Sequence, residues 1–203
     1  MKRVIAGSHG ASLTPQLTMM KHDEQGSAMR EKDSEGHLTD EQIAALFLDA
    51  AREGDLNTIK QFIDAGMEID AADSRGHTAL IVATYKNRYD AAALLLHHGA
   101  RVDAEDRKGA TALSGVAFKG HERVARLLLE HGAKIDHQNH LGRTPLMFAL
   151  MFERHDIVKL LLEHGADLDL KDVDGVCARD LAHSRAELTR IDGRDSRSGT
   201  HRT

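Results

Sequence analysis

Fourteen histidines are spread along this 203-residue chain, and three of them, His98, His131 and His164, recur at a spacing of 33. Imidazole is the commonest protein metal ligand and a proton carrier near neutral pH, so metal binding and acid–base catalysis are the chemistries these residues could do. The spacing works against a shared metal. Equivalent positions in stacked helical units lie about 8–10 Å apart, whereas zinc needs nitrogen ligands about 2 Å away. Rings at such positions belong near helix C-termini, where the dipole favours a partly protonated imidazole. His137 and His140 are close enough in sequence to reach one ion, yet no third ligand is spaced to join them. No Gly-x-Ser-x-Gly, phosphate-binding loop, Cys-x-x-Cys or His-Glu-x-x-His occurs, so no residue set stands ready for nucleophilic, phosphoryl-transfer or metal-assisted chemistry. The single cysteine, Cys177, fills a slot held by Thr78, Thr111 and Thr144 in earlier segments. It reads as a small helix-start residue, excludes an intramolecular disulfide and fits a reducing compartment. The expectation is a non-catalytic chain with no cofactor and no metal.

The elements that position these residues form a repeat. Gly76, Gly109, Gly142 and Gly175 recur every 33 residues, and a second series, Gly66, Gly99, Gly132 and Gly165, keeps the same period. An apolar cluster precedes each member of the second series: Phe62-Ile63, Leu94-Leu95-Leu96, Leu127-Leu128-Leu129 and Leu160-Leu161-Leu162. A period of this length marks one supersecondary unit that cannot bury its apolar face alone and is stable only when stacked on neighbours.

Within each unit the pattern predicts two short helices. Thr78, Thr111 and Thr144 stand as N-caps of first helices reaching Lys86, Lys119 and Phe152, with Pro145 in a first turn where its missing N–H costs nothing. Second helices carry Ala91, Leu94 and Leu95, or Val124, Leu127 and Leu128, or Ile157, Leu160 and Leu161 at helical spacing. Gly99, Gly132 and Gly165 then stop them in the left-handed conformation. Between the helices, Gly54, Gly120 and Asn87 suit a left-handed residue, and Glu153 does not. There the backbone carries about 1–2 kcal/mol of strain or the loop rearranges, so the fourth unit is expected to differ locally.

Asp73-Ser74-Arg75-Gly76-His77-Thr78-Ala79-Leu80, residues 106–113 and Asn139-His140-Leu141-Gly142-Arg143-Thr144-Pro145-Leu146, each followed by Leu-Leu-x-x-Gly-Ala, resemble the ankyrin repeat. The resemblance covers about residues 40–190. The histidine that such repeats often carry after Thr-Pro-Leu is Ile81, Ser114, Met147 and Asp180 here, a departure that bears on first-helix hydrogen bonding and not on the fold. It implies an all-α repeat solenoid of stacked helix-turn-helix units joined by β-hairpin-like loops.

Thr39-Asp40-Glu41-Gln42 reads as a capping box ahead of Ile43, Leu46, Phe47 and Ala50, which starts the array. Five units follow: an N-terminal cap (39–72), three full repeats (73–105, 106–138, 139–171) and a C-terminal cap (172–192) made polar by Ser184, Arg185, Glu187 and Arg190. Residues 1–38 are polar and unpatterned, read as disordered, and Met19, Met20 and Met29 are alternative translation starts. Residues 193–203 read as a flexible tail. The beginning lacks the apolar run of a secretory signal and no stretch approaches the roughly 20 apolar residues of a membrane helix, so the expected location is cytoplasmic. The net charge of −5 supports no global argument for nucleic acid or membrane.

Function then falls to the surface. In arrays of the kind this chain resembles, hairpin tips and the exposed side of the first helices form a concave face that grips a protein. Tyr85, Phe118 and Met151 share one slot on it and Lys86, Lys119 and Phe152 the next; the hairpins add Arg75, His77, Arg107, Lys108, His140, Leu141 and Arg143. With Arg52, Glu53, Glu105 and Lys171, that surface carries eight cations against two acids. Aromatic residues and arginine are enriched at binding hot spots. The expected partner is a protein offering an acidic segment and an apolar anchor, bound by a chain that is monomeric alone. The resemblance also extends to small bacterial stand-alone arrays that serve as accessory or inhibitory subunits of an enzyme, or as secreted effectors engaging host proteins. Nucleic acid is the lesser reading, since such readers pair several planar rings with a continuous phosphate track.

Overall fold

The computed structural model describes residues 38–182. The expectations for residues 1–37, for the end of the C-terminal cap and for the 193–203 tail lie outside the described residues. Among those described, the elements are all helical: α1 (Asp40–Glu53), α2 (Leu56–Asp64), α3 (Ala79–Tyr85), α4 (Tyr89–His97), α5 (Ala112–Lys119), α6 (Glu122–Glu130), α7 (Pro145–Met151), α8 (His155–Glu163) and α9 (Ala178–Leu181). First helices stack in one layer, in the order α1, α3, α5, α7, α9, and second helices in another, α2, α4, α6, α8.

The helix starts follow from side-chain oxygens. Thr39 Oγ1 accepts from the Gln42 amide at 3.2 Å while Gln42 Oε1 accepts from the Thr39 amide at 2.9 Å, a complete capping box. Thr78, Thr111 and Thr144 cap the amides of Ile81, Ser114 and Met147 at 3.3, 3.4 and 3.3 Å. Where family members often place histidine, Ser114 Oγ lies 3.3 Å from Thr111 Oγ1, and Asp180 accepts from the Cys177 amide and Sγ, each at 3.0 Å. The Cys177 thiol is buried at this helix start.

One apolar cluster runs the length of the stack between the layers. Leu80, Leu113 and Leu146 on the first helices and Leu95, Leu128 and Leu161 on the second are almost fully buried, each contributing about 1.5–3 kcal/mol relative to exposure. Phe47 and Phe62 close the N-terminal end, ring centroids 5.5 Å apart.

The fourth unit keeps the common loop, contrary to the local difference expected there. Glu153 takes φ +54°, beside +58° at Asn87 and +84° at Gly120, and the amide of Arg154 still reaches Ala149 O at 2.8 Å, as Arg88 reaches Ala83. The stack holds Glu153 in a left-handed geometry because both flanking helices are already anchored.

The hairpin-like loops form no named strands among the described residues. Isolated antiparallel bridges, Ala72 with Thr78 and Lys171 with Cys177, stand in place of strands. An acidic or amide side chain holds each turn: Asp73 accepts from the amides of Arg75 (2.8 Å) and His77 (2.9 Å), and Asp106, Asn139 and Asp172 repeat the arrangement. Successive tips are joined through Arg107 N to Arg75 O (2.9 Å), His140 N to Lys108 O (3.0 Å) and Val173 N to Leu141 O (3.0 Å). A Cβ on Gly76 would stand 2.9 Å from the Arg107 nitrogen, so the close approach of neighbouring tips requires glycine there.

Candidate functional site

The face built from hairpin tips and the exposed side of the first helices carries an aromatic row. Tyr85, at the end of α3, stacks on Phe118 of α5 with centroids 6.3 Å apart and planes 9° from parallel. Phe118 meets Phe152 edge to face at 4.3 Å. The spacing put Met151 in the column; the ring that Phe118 engages belongs to the next residue, because Phe152 is the C-cap of α7 and leaves the helical path at φ −110°. Met151 stays exposed beside it. Such contacts are worth about 0.5–1.5 kcal/mol beyond their buried area, yet Tyr85 and Phe152 each keep 39% of their surface open.

A glycine lies beside the stacked ring. Gly115 lies within α5, and a Cβ there would find only the Tyr85 ring within 4 Å, at 3.4 Å. The equivalent slots hold Val82 and Phe148. The missing side chain leaves room beside the Tyr85 ring, a feature the period alone did not single out.

Cations border the row. Lys119 Nζ sits 5.0 Å from the Tyr85 ring centroid, a cation–π contact that leaves the charge facing solvent. Among the described residues no carboxylate lies within ion-pair distance of Arg75, Lys86, Arg107, Lys108 or Lys119. Other members of the expected basic surface are engaged internally. Arg143 reaches Asp172 at 3.5 Å and Asp174 at 3.9 Å, Arg52 pairs with Asp49, and His77 Nδ1 lies 3.1 Å from Asp73 Oδ2. His140 and Leu141 are exposed at a hairpin tip.

The carboxylates that hold the hairpins are themselves tuned. Burial raises the Asp73 value, but the amides of His77 and Arg75 outweigh it and keep the carboxyl below the ordinary range. At Asp172 the Val176 amide has the largest effect in the same direction. These groups hold turns, and nothing aims them at a substrate.

His131, His137 and His164 have structural partners. His131 Nδ1 lies 2.9 Å from Leu127 O and His164 Nδ1 2.8 Å from Leu160 O, both at helix C-caps. His137 Nε2 lies 3.0 Å from Gly109 O and 3.5 Å from Glu105. Among the described residues, no three His, Cys, Asp or Glu side chains group as metal ligands would.

A further 33-residue series, Arg88, His121 and Arg154, links successive units. Arg88 Nε donates to Arg52 O at 2.9 Å and Arg154 Nε to Phe118 O at 3.0 Å, while His121 Nε2 lies 3.3 Å from Tyr85 O. Each side chain follows the left-handed residue of one unit and meets the C-terminal end of the preceding first helix, where a cation is favoured. Burial holds the His121 value below 6.5 against the pull of that carbonyl, and Lys119 and Arg154 push it the same way. The signal was a basic residue recurring in the slot after the turn.

A separate open groove of about 940 Å³ lies at the N-terminal end between α1 and residues 65–74, with Ile43, Leu48 and Met67 on its walls. No helix among the described residues is long and apolar enough to cross a membrane.

A search of curated proteins found no match. The family model for ankyrin repeats (3 copies) matches residues 17–106 and 98–172, most of the chain. Stacked helix pairs, capped first helices and bonded hairpin tips agree with that match, and the chain belongs to the ankyrin repeat family.

Proposed function

We propose that this chain is a non-catalytic protein-interaction module whose hairpin face binds an acidic segment of another protein carrying an apolar anchor. Ankyrin repeats generally mediate protein–protein interaction. The observation that carries the finer reading is the half-open row Tyr85–Phe118–Phe152 bordered by cations without carboxylate partners. Exposed aromatic area bordered by unmet positive charge supplies both an apolar contact and long-range attraction for an acidic chain.

Binding reaches its tight state when the anchor displaces water from the rings, and the cations set orientation and on-rate. Recruitment, tethering and inhibition of the partner are all consistent with this chemistry. The test is recovery of partner proteins from source lysate by wild type and by Phe118→Ala combined with Lys119→Glu, with circular dichroism as the folding control. The expected result is a partner lost only by the folded variant. Undiminished recovery would sink the assignment, and retention of nucleic acid in place of protein would favour the rival reading.

A further inference from the structure

The hairpin face changes character halfway along the solenoid, and it does so in separate slots. Along the hairpin tips, the slot of Arg75 and Lys108 becomes Leu141 and then Asp174, which Arg143 meets, and the slot of Arg107 becomes His140 and then Val173. At the ends of the first helices, Lys86 and Lys119 give way to Phe152. Leu141 is 49% exposed and Val173 64%. Charges near the apolar end are met within the chain: Arg143 by Asp172 and Asp174, with Lys171 close enough to act on the Asp180 carboxylate. At the other end Arg75, Arg107 and Lys108 stand exposed without carboxylate partners among the described residues. Bonds between successive tips, 2.9–3.0 Å throughout, hold both halves in one line.

We infer that the face is bipartite: its second and third units take an acidic block, and its fourth unit with the following hairpin takes an apolar block, both on one continuous segment of a partner protein. Charge complementarity selects the occupant, because exposed arginine and lysine favour carboxylates and disfavour a basic segment. Stacked units lie about 10 Å apart, so the centres of the two halves are separated by about 20 Å. An extended chain covers that in about six residues at roughly 3.3 Å each. The inference rests on the proposed use of this face and adds the layout of the ligand along it.

A random peptide library displayed on phage and selected on the full chain provides the probe. Selected peptides should carry Asp/Glu and aliphatic or aromatic residues in separate blocks about six residues apart. A synthetic selected peptide should bind at least about ten-fold tighter than one of identical composition with the two residue classes interleaved, measured by fluorescence anisotropy. Photo-crosslinkers at its acidic and apolar ends should label residues 74–119 and 140–176 respectively. Arg107→Glu with Lys108→Glu should remove the salt dependence of binding, whereas Leu141→Ser with Val173→Ser should weaken binding and leave that dependence intact. Equal affinity of segregated and interleaved peptides, or crosslinks without positional order, overturns the bipartite layout. If binding in that case is still lost with Tyr85→Ala/Phe118→Ala, use of the face itself stands. Binding untouched by that double variant removes both.

Discussion

On the second helices, Arg126 meets Glu122 at 2.6 Å, Lys159 meets Glu163 at 3.9 Å and the Arg123 guanidinium lies 3.8 Å from the centre of the Tyr89 ring. On the hairpin face, Arg75, Lys86, Arg107 and Lys108 have no carboxylate within reach among the described residues. The two regions are made of the same residue types and differ in geometry. Residues four apart on a helix are neighbours, so these nine-residue helices pair Arg126 with Glu122 and Lys159 with Glu163 internally. Arg75 and Lys108, at successive tips 33 residues apart, bring the same sign of charge, and the i,i+4 contact at the first of these tips, His77 with Asp73, engages neither side chain. Positive charge without carboxylate partners therefore gathers at the second and third tips, where the proposed acidic block would sit.

Reversing charge on the two sides separates them most sharply. Arg107→Glu with Lys108→Glu should lower partner affinity about 100-fold, since like charges across an interface cost several kcal/mol. Thermal midpoint should stay within about 2 °C, because no intramolecular pair is lost. Arg126→Glu should do the opposite, leaving affinity unchanged and costing about 0.5 kcal/mol through repulsion from Glu122. Calorimetry of unfolding alongside titration calorimetry of binding reads both, and equal behaviour of the two variants would break the comparison.

Next in size is Gly115→Val, which pushes the Tyr85 ring off α5 and should destabilise by about 1–3 kcal/mol as overpacking does. Denaturant unfolding measures that loss, and a change in the near-ultraviolet tyrosine dichroism would report the lost stacking on Phe118. Glu153→Gly should act in the opposite sense, removing left-handed strain of about 1 kcal/mol and raising the thermal midpoint by about 2–4 °C. A fall in midpoint would mean that the Glu153 side chain itself stabilises the turn.

The smallest effect concerns pH. The folded chain favours neutral His121, holding its value below 6.5, so this contribution is present above pH 6.5 and is lost as pH falls through the lower folded value. His121→Arg copies Arg88 and Arg154 in the equivalent bond, and should flatten the decline in melting temperature between about pH 8 and pH 5. The Asp73 and Asp172 carboxylates add a second decline below their ordinary value of 3.8, since both are held lower in the fold; that decline should survive the substitution.

Much of the stack was legible because each unit obeys local rules. Thr78, Thr111 and Thr144 bond amides three residues away, and glycines take the left-handed positions where the pattern put them. The aromatic row was legible in part. The period aligned Tyr85, Phe118 and Met151, but Phe152 supplies the ring because a helix end turns a side chain away from its nominal slot. Of the two outcomes open at Glu153, about 1–2 kcal/mol of strain or a rearranged loop, the first holds, because two anchored helices keep the loop in the common path. Arg143 counted as a surface cation until its two aspartate partners, 29 and 31 residues away, came into view.

By itself the sequence determined the period, the caps and turns, the buried stripe and thereby membership of a repeat fold, since each depends on residues a few positions apart or on exact repetition. Tertiary structure alone decided which charges remain unmet, which rings touch and how the Arg88, His121 and Arg154 side chains join one unit to the next. Those outcomes depend on contacts some 30 residues apart, set by how closely neighbouring units approach, and no local pattern encodes that distance.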